Sequence, residues 1–336
     1  MNCRAETKIF KVLDNQMASS SSDKGLTATT LAALHSDIIE TNLLTRLDGP
    51  SLASLASSSK LLLPLCNKES LWKDICDSTW NSVKHPLVQN AISSFPGGYR
   101  SFYSDSFPVL GASSGGGSLC SQVDTSELIS AVDMHFMNNQ VYSKVTVTDT
   151  NASCFPGSLF HIDLIDHKET LEIPLKYQGD ANLCKSKLEE NLTLSWIVID
   201  PILKRAANVS SLRPVCVRPQ SDKTGIEVTY STILSGDSCG IDTTEFVECR
   251  VVASFGCEKG HNVELRALSL CLVDMVKSRL NGEMSLRILK EAMESGERRK
   301  ECGQWEEYAK KLDCTRHKLV SWLLLAVSSV SLLWFG

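Results

Sequence analysis

"GASSG", residues 111–115, places Ser113 between glycines in the order of a nucleophile elbow, Gly-x-Ser-x-Gly. That chemistry needs a strand before the serine and a helix after it, so that a strained turn lifts the hydroxyl toward a substrate. Here "FPVL" precedes and "GGGS" follows, so 111–124 reads as a flexible Gly/Ser linker. "HIDLIDH" offers a second set: His161, Asp163, Asp166 and His167. Alternate residues of a strand share a face, which groups His161 with Asp163 and Ile165 and turns Asp166 away. Two histidines six apart are a weak metal signal, and a solvated strand edge is the reading adopted. The thirteen cysteines are odd in number and contain no CxxC pair. Cys249 and Cys271 lie inside apolar alternation, where a free thiol behaves as a small hydrophobe. No glycine-rich phosphate loop occurs. No catalytic residue, metal or cofactor is expected.

The 336 residues suffice for two ordinary domains. A net charge of −5 argues against broad nucleic-acid binding, which needs a basic surface to displace counterions. The charge is uneven. Residues 277–318 carry a net of +3, and everything before them a net of −8. "MNCRAETKIFKVLDNQ" holds no apolar run of secretory length. Free thiols in a reducing compartment, cytoplasm or nucleus, are therefore expected.

The elements that must position any site follow from hydrophobic period. Residues 1–30 end in "MASSSSDKGLTATT" and read as disordered. Residues 34–80 read as helical. Ser36 or Asp37 caps a first helix carrying Ile38, Ile39, Leu43, Leu44 and Leu47 at three- and four-residue steps. "DGP" at 48–50 stops it, and Pro50 suits the start of a second helix with Leu52, Leu55 and Ala56. A third helix starts near Glu69 and carries Leu71, Trp72, Ile75 and Cys76. Residues 81–110 form a helical extension with Tyr99, Phe102, Tyr103 and Phe107 on one side.

From about 140 the period becomes two. "EFVECRVVASF" alternates Val247, Cys249, Val251, Ala253 and Phe255 against Glu248, Arg250 and Ser254. "NLTLSWIVID" is apolar on both faces, as an interior strand would be. Seven or eight strands without intervening helices predict an antiparallel β-sandwich-like domain over 125–280. Residues 281–317 read as a charged helical segment. "DPILKRAANVSSLRP", 200–214, is a polar connection whose Lys204, Arg205 and Arg213 are candidate contacts for an acidic target. The fold class expected is α+β: three N-terminal helices, the β domain, then C-terminal helices.

Residues 319–336, "LVSWLLLAVSSVSLLWFG", carry no charge. As a helix they span about 27 Å, near the roughly 30 Å of a bilayer core. Arg316, His317 and Lys318 precede them, and Trp322 and Trp334 lie near the ends. That is the layout of a tail anchor with a cytosolic body. The competing reading is a terminal helix lying in a groove of the β domain.

The N-terminal pattern resembles an F-box, assigned to residues 31–80. The residues that carry the likeness are Leu34, Asp37-Ile38, Leu43-Leu44, Arg46-Leu47-Asp48, Ser51-Leu52, Leu55, Ser59-Lys60, Leu71-Trp72-Lys73 and Ile75-Cys76. His35 stands where the family usually has proline, and Ser58 where it usually has valine. "PGGYRSFYSDSFP" and "NLTLSWIVIDP…KRAANVSS…RPV" are similar to segments of plant F-box proteins. The resemblance implies a three-helix module that docks a Skp-type adaptor, and through it a cullin. The adaptor contacts it implies are Leu34, Ile38, Leu43, Leu44, Leu47, Leu52, Leu55, Leu71 and Trp72. The chain would then be the non-catalytic substrate receptor of a ubiquitin ligase, with a protein client on the β domain. The rivals are a membrane-tethered binding protein that assembles no ligase and a lectin-like receptor with Trp196 as a sugar-stacking ring.

Overall fold

The computed structural model describes residues 36–108, 110–111, 125–166, 169–220, 225–236 and 246–298. The chain divides into two compact units, with the boundary between Cys76 and Asp77.

In the first unit, the expected opening helix is a chain of short pieces. Ser36–Ile38 is one α-turn, Ile39–Leu43 is π-helical and Leu44–Arg46 is 3-10. The Thr41 and Thr45 hydroxyls donate to the carbonyls four residues back, at 2.7 and 2.8 Å. Such back-bonding bends a helix and weakens its regular ladder. Helix α1, Gly49–Ser58, starts cleanly. Asp48 accepts from the Ser51 amide at 2.9 Å, and Pro50 sits in the first turn, where its missing N–H is harmless. Helix α2 is a single turn, Leu63–Cys66, and α3 spans Glu69–Thr79. The Trp72 indole donates to the Cys66 carbonyl at 2.8 Å, tying α3 to α2.

The second unit opens with a 3-10 turn, Asn81–Lys84, and helices α4, Pro86–Ser93, and α5, Gly98–Ser106. The strands are β1 (Leu110–Gly111), β2 (Glu127–Phe136), β3 (Asn139–Asp149), β4 (His161–Asp163) and β5 (Leu171–Lys176). Helix α6, Ala181–Asn191, leads into β6 (Leu192–Asp200), β7 (Arg205–Asn208), β8 (Cys216–Pro219) and β9 (Gly225–Ser235). Then come β10 (Phe246–Gly256), β11 (Asn262–Val273), helix α7 (Gly282–Ser295) and β12 (Glu297–Arg298). All strand pairs are antiparallel. One sheet runs β4-β11-β10-β9-β8, with β5 also on β11; a second runs β3-β2-β6-β7; β1 and β12 form a short ribbon. The fold is α+β.

Residues from both larger sheets join one apolar cluster, with Trp196, Tyr230, Phe136 and Phe255 among its fully buried members. Full burial of side chains of this kind contributes about 1.5–3 kcal/mol each. The alternation of β10 is as expected: Val247, Cys249, Val251, Ala253 and Phe255 are all enclosed. Strand β6 lies between β2 and β7, and its consecutive residues 196–199 are all fully buried, so both of its faces are covered there.

Four features differ from expectation. Helix α6 interrupts the strands, buried only through Cys184 and Leu188 one turn apart. Strands β2, β5 and β7 appear where no strand was expected. Residues 77–108 belong to the second unit rather than standing apart as an extension. Helix α7 stops at Ser295, because Gly296 turns extended and Glu297–Arg298 pair with β1. At the other end of α7, Gly282 lies so close to the Phe155 carbonyl that a Cβ would sit 2.1 Å from it, which demands glycine.

The cover over the four-stranded sheet is pinned by polar contacts. The Trp80 indole donates to the Ser195 hydroxyl at 3.2 Å. Buried Asp133 accepts from the Ser82 amide at 3.0 Å and from its hydroxyl. Trp80 also packs edge-on against Phe102, with ring centres 5.9 Å apart.

Candidate functional site

The leucine ladder of the first unit splits into two sets. Leu44, Leu52, Leu71 and Trp72 are buried, with Ile39, Ala56, Cys66 and Cys76. Leu43, Leu47 and Leu55 are half-buried, and Ile38 is 47% exposed. Helical spacing explains the division: Leu52 and Ala56 lie one turn apart on the inner side of α1, while Leu55 is rotated off it. Two further apolar side chains lie open, Leu61 at 71% and Leu63 at 40%. They escaped notice because the run "LLLPL" has no helical period beyond one turn. Lys68 and Glu40 form an ion pair on this unit. The Ser58 hydroxyl is exposed and bonds to the Leu55 carbonyl at 2.9 Å, so it brings no buried polar group. Leu34 and His35 lie outside the described residues.

The cations of the 200–214 connection are drawn back onto the chain. Arg205 holds the Asp105 carboxylate through two bonds, and Arg213 donates to the Glu190 carbonyl at 3.0 Å. Lys204 is exposed, at the left-handed position of the turn with φ 55°. Below that turn the Asp200 carboxylate, fully buried, accepts from the Ile202 and Leu203 amides at 2.9 Å each and from the Thr125 hydroxyl. Trp196 is wholly enclosed, and its indole donates to Ser130 at 3.2 Å. Its ring presents no face to a sugar.

His161 and Asp163 share a face as expected and pair at 2.8 Å, both solvent-accessible. Ile165 leaves their group and is buried, because the strand ends at Asp163 and alternation ends with it. Among the described residues no group of three His, Cys, Asp or Glu side chains is arranged to hold a metal. Ser113, His167, Trp322 and Trp334 lie outside the described residues, as does the whole of 319–336. Among the described residues no helix is long and apolar enough to cross a membrane.

Two clusters carried no signal in the sequence. Glu248, buried, accepts from the Ser231 hydroxyl at 2.9 Å, from Arg250 at 3.1 and 2.8 Å, and from Lys277. Burial pushes its carboxyl pKa up, but the bonds from Arg250 and Lys277 outweigh that and hold it below the ordinary value. Cys184 and Cys257 share a hydrogen bond that raises the first thiol and lowers the second, with the Arg266 cation adding to the lowering. Arg250 is two residues from Glu248 on the same strand face, but Ser231, Lys277 and the Cys184–Cys257 pair are joined across 17 or more positions, which no local spacing announces.

Three relatives are similar in sequence over most of the chain. An F-box protein of Arabidopsis thaliana is 39% identical over 291 residues, covering 85% of this chain and 80% of its own. A second Arabidopsis thaliana F-box protein is 36% identical over 306 residues, covering 83% and 86%. A probable F-box protein of the same plant is 39% identical over 283 residues, covering 83% and 80%. No family model and no solved structure matches the chain. Identity at this level, spread over both units, is far more than a shared helical motif produces, and the chain belongs to the plant F-box protein family.

Proposed function

We propose that this protein is the substrate-recognition subunit of a Skp-cullin-F-box ubiquitin ligase. The F-box at 31–80 docks a Skp-type adaptor, the adaptor bridges to the cullin, and the β-rich unit holds a protein client. The chain performs no bond chemistry. It raises the effective concentration of a client lysine beside the ubiquitin-charged enzyme. The observation that carries the reading is the part of the apolar surface that this unit leaves accessible: Ile38, Leu61 and Leu63 are exposed, and Leu43, Leu47 and Leu55 are only half-buried. Clustered exposed apolar side chains of this kind mark protein-binding surfaces.

The test is capture of purified Skp-type adaptor by the full chain. Wild type binds, and Ile38→Asp with Leu63→Asp weakens binding at least tenfold while the far-ultraviolet circular dichroism is unchanged. Failure of the folded wild-type chain to bind any Skp-type adaptor rejects the receptor reading.

A second reading rests on the uncharged run 319–336. It makes the protein a membrane-tethered binder facing the cytosol that assembles no ligase. Carbonate extraction separates the tether from a soluble body in cytoplasm or nucleus, and adaptor capture separates the binder from the receptor.

A further inference from the structure

Strand β3 is an edge. It bonds to β2 on one side, and among the described residues no strand bonds to its other side. Beside this edge the helical cover stops short. The turn Asn81–Lys84 and the start of α4 overhang β3 and leave an open notch of about 550 Å³. Its floor includes Val141, Ser143 and Val145, which share one face of β3, and Lys84 and His85 stand over that face, while Lys144 projects from the other. Asp133 lies next to Ser143 across the ladder, but its carboxylate is buried and bonded to Ser82. Among the described residues lining the notch none is acidic, in a chain whose net charge is −5.

Resting on the receptor reading above, we propose that this notch seats the client, as an extended segment bearing acidic side chains that adds to β3 as a further strand. An open strand edge offers unpaired N–H and C=O groups to such a segment, and pockets for alternate side chains give selectivity. Six residues of β3, Gln140–Val145, line the notch, enough for roughly 20 Å of extended peptide. Lys84 and His85 are exposed; the Lys84 ammonium reaches Asn81 at 3.1 Å, and the His85 Nδ1 accepts from the Leu87 amide at 3.3 Å. Lys144 lies on the opposite face of β3, where it and the Tyr142 hydroxyl both donate to the Leu164 carbonyl, at 2.6 and 3.1 Å, so Lys84 is the cation that meets the notch-facing side chains of a ligand. Charge decides among occupants. The chain's own segment 277–318 is net positive and does not complement the charge of the notch. Two copies joined edge to edge would set the lysines of one notch against those of the other.

The test uses the full chain and three labelled nine-residue peptides of alternating valine with glutamate, glutamine or lysine, read by fluorescence anisotropy. The glutamate peptide binds at least tenfold more tightly than the other two, and N-methylation of its alternate amides weakens it at least tenfold. Lys84→Glu, an exposed site safe for the fold, weakens it at least tenfold. Lys84→Gln gives a smaller loss, and circular dichroism checks that each variant is folded. Equal binding of the three peptides, full binding by the folded lysine variants, or a loss produced instead by Lys204→Glu with Arg213→Glu overturns the proposal. So does occupation of the edge by a second copy, seen as a dimer that the glutamate peptide does not dissociate. Adaptor capture on the same preparations keeps the two readings apart. Adaptor binding without peptide binding sinks the notch alone, and peptide binding without adaptor binding sinks the receptor reading alone.

Discussion

Arg205 clasps Asp105 across a hundred residues of chain, Nε to Oδ2 at 2.8 Å and Nη2 to Oδ1 at 3.0 Å. The same carboxylate accepts from the Ala206 amide at 3.2 Å. One side chain of α5 thus fixes the start of β7, the far edge strand of the four-stranded sheet. A planar fork meeting a carboxylate is the stronger kind of ion pair, and this carboxylate is buried.

Asp105→Ala therefore leaves a guanidinium and an amide without their acceptor. The expected loss is about 2–3 kcal/mol of stability, from charge-assisted bonds. Arg205→Lys keeps the charge but not the two-point geometry and costs about 1 kcal/mol. Urea denaturation of the full chain measures both. A midpoint unchanged by Asp105→Ala would mean the clasp contributes nothing.

Neighbouring leucines of α1 should behave differently. Leu52 is fully enclosed, so Leu52→Ala removes core packing and costs about 2–5 kcal/mol. Leu55 is half-buried, so Leu55→Ala costs about 1 kcal/mol or less while weakening adaptor capture. Thermal melts and capture on the same two variants check the split. Equal effects in both assays would show that the inner and outer sets are not distinct.

Glu248 sets an acid limit on stability. Its carboxyl pKa is lowered in the folded chain relative to the ordinary 4.5. The folded state therefore prefers the ionised form. The resulting stabilisation is complete above the unfolded pKa and is lost as pH falls below about 4.5 through the folded value. Glu248→Gln should cost about 2 kcal/mol at neutral pH. The gap between variant and wild type should narrow as the pH drops from 5 to 3. Urea midpoints over that range read it, and a gap that stays constant would remove Glu248 from the acid response.

The strands whose pattern is carried by neighbours one and two residues away were legible. Val247 to Phe255 alternate because only one face of β10 meets the core, and residues 196–199 are continuously apolar because both faces of β6 are buried there. Strand β2 was not legible, since Asp133 and His135 interrupt its apolar run. Asp133 is tolerable there only because Ser82, fifty-one positions away, supplies its donors. Strand β7 reads as a loop, "RAAN", because its two alanines carry little hydrophobic signal although both are fully buried. Helix α6 buries two side chains in eleven residues, too sparse a stripe to register. For the site, the leucines announced an apolar module, but spacing alone did not divide inner from outer members. The notch beside β3 exists only through packing of 81–86 on 140–145, a pairing that no local period encodes.

The anchoring of Trp80 to Ser195 and of Ser82 to Asp133 has a practical corollary for dissection. A fragment begun at the Gly/Ser stretch would strip Asp133 of both its donors and abandon a carboxylate inside the protein. A fragment that keeps these donors starts at the seam before Asp77, and swaps of the amino-terminal unit between relatives should be cut there.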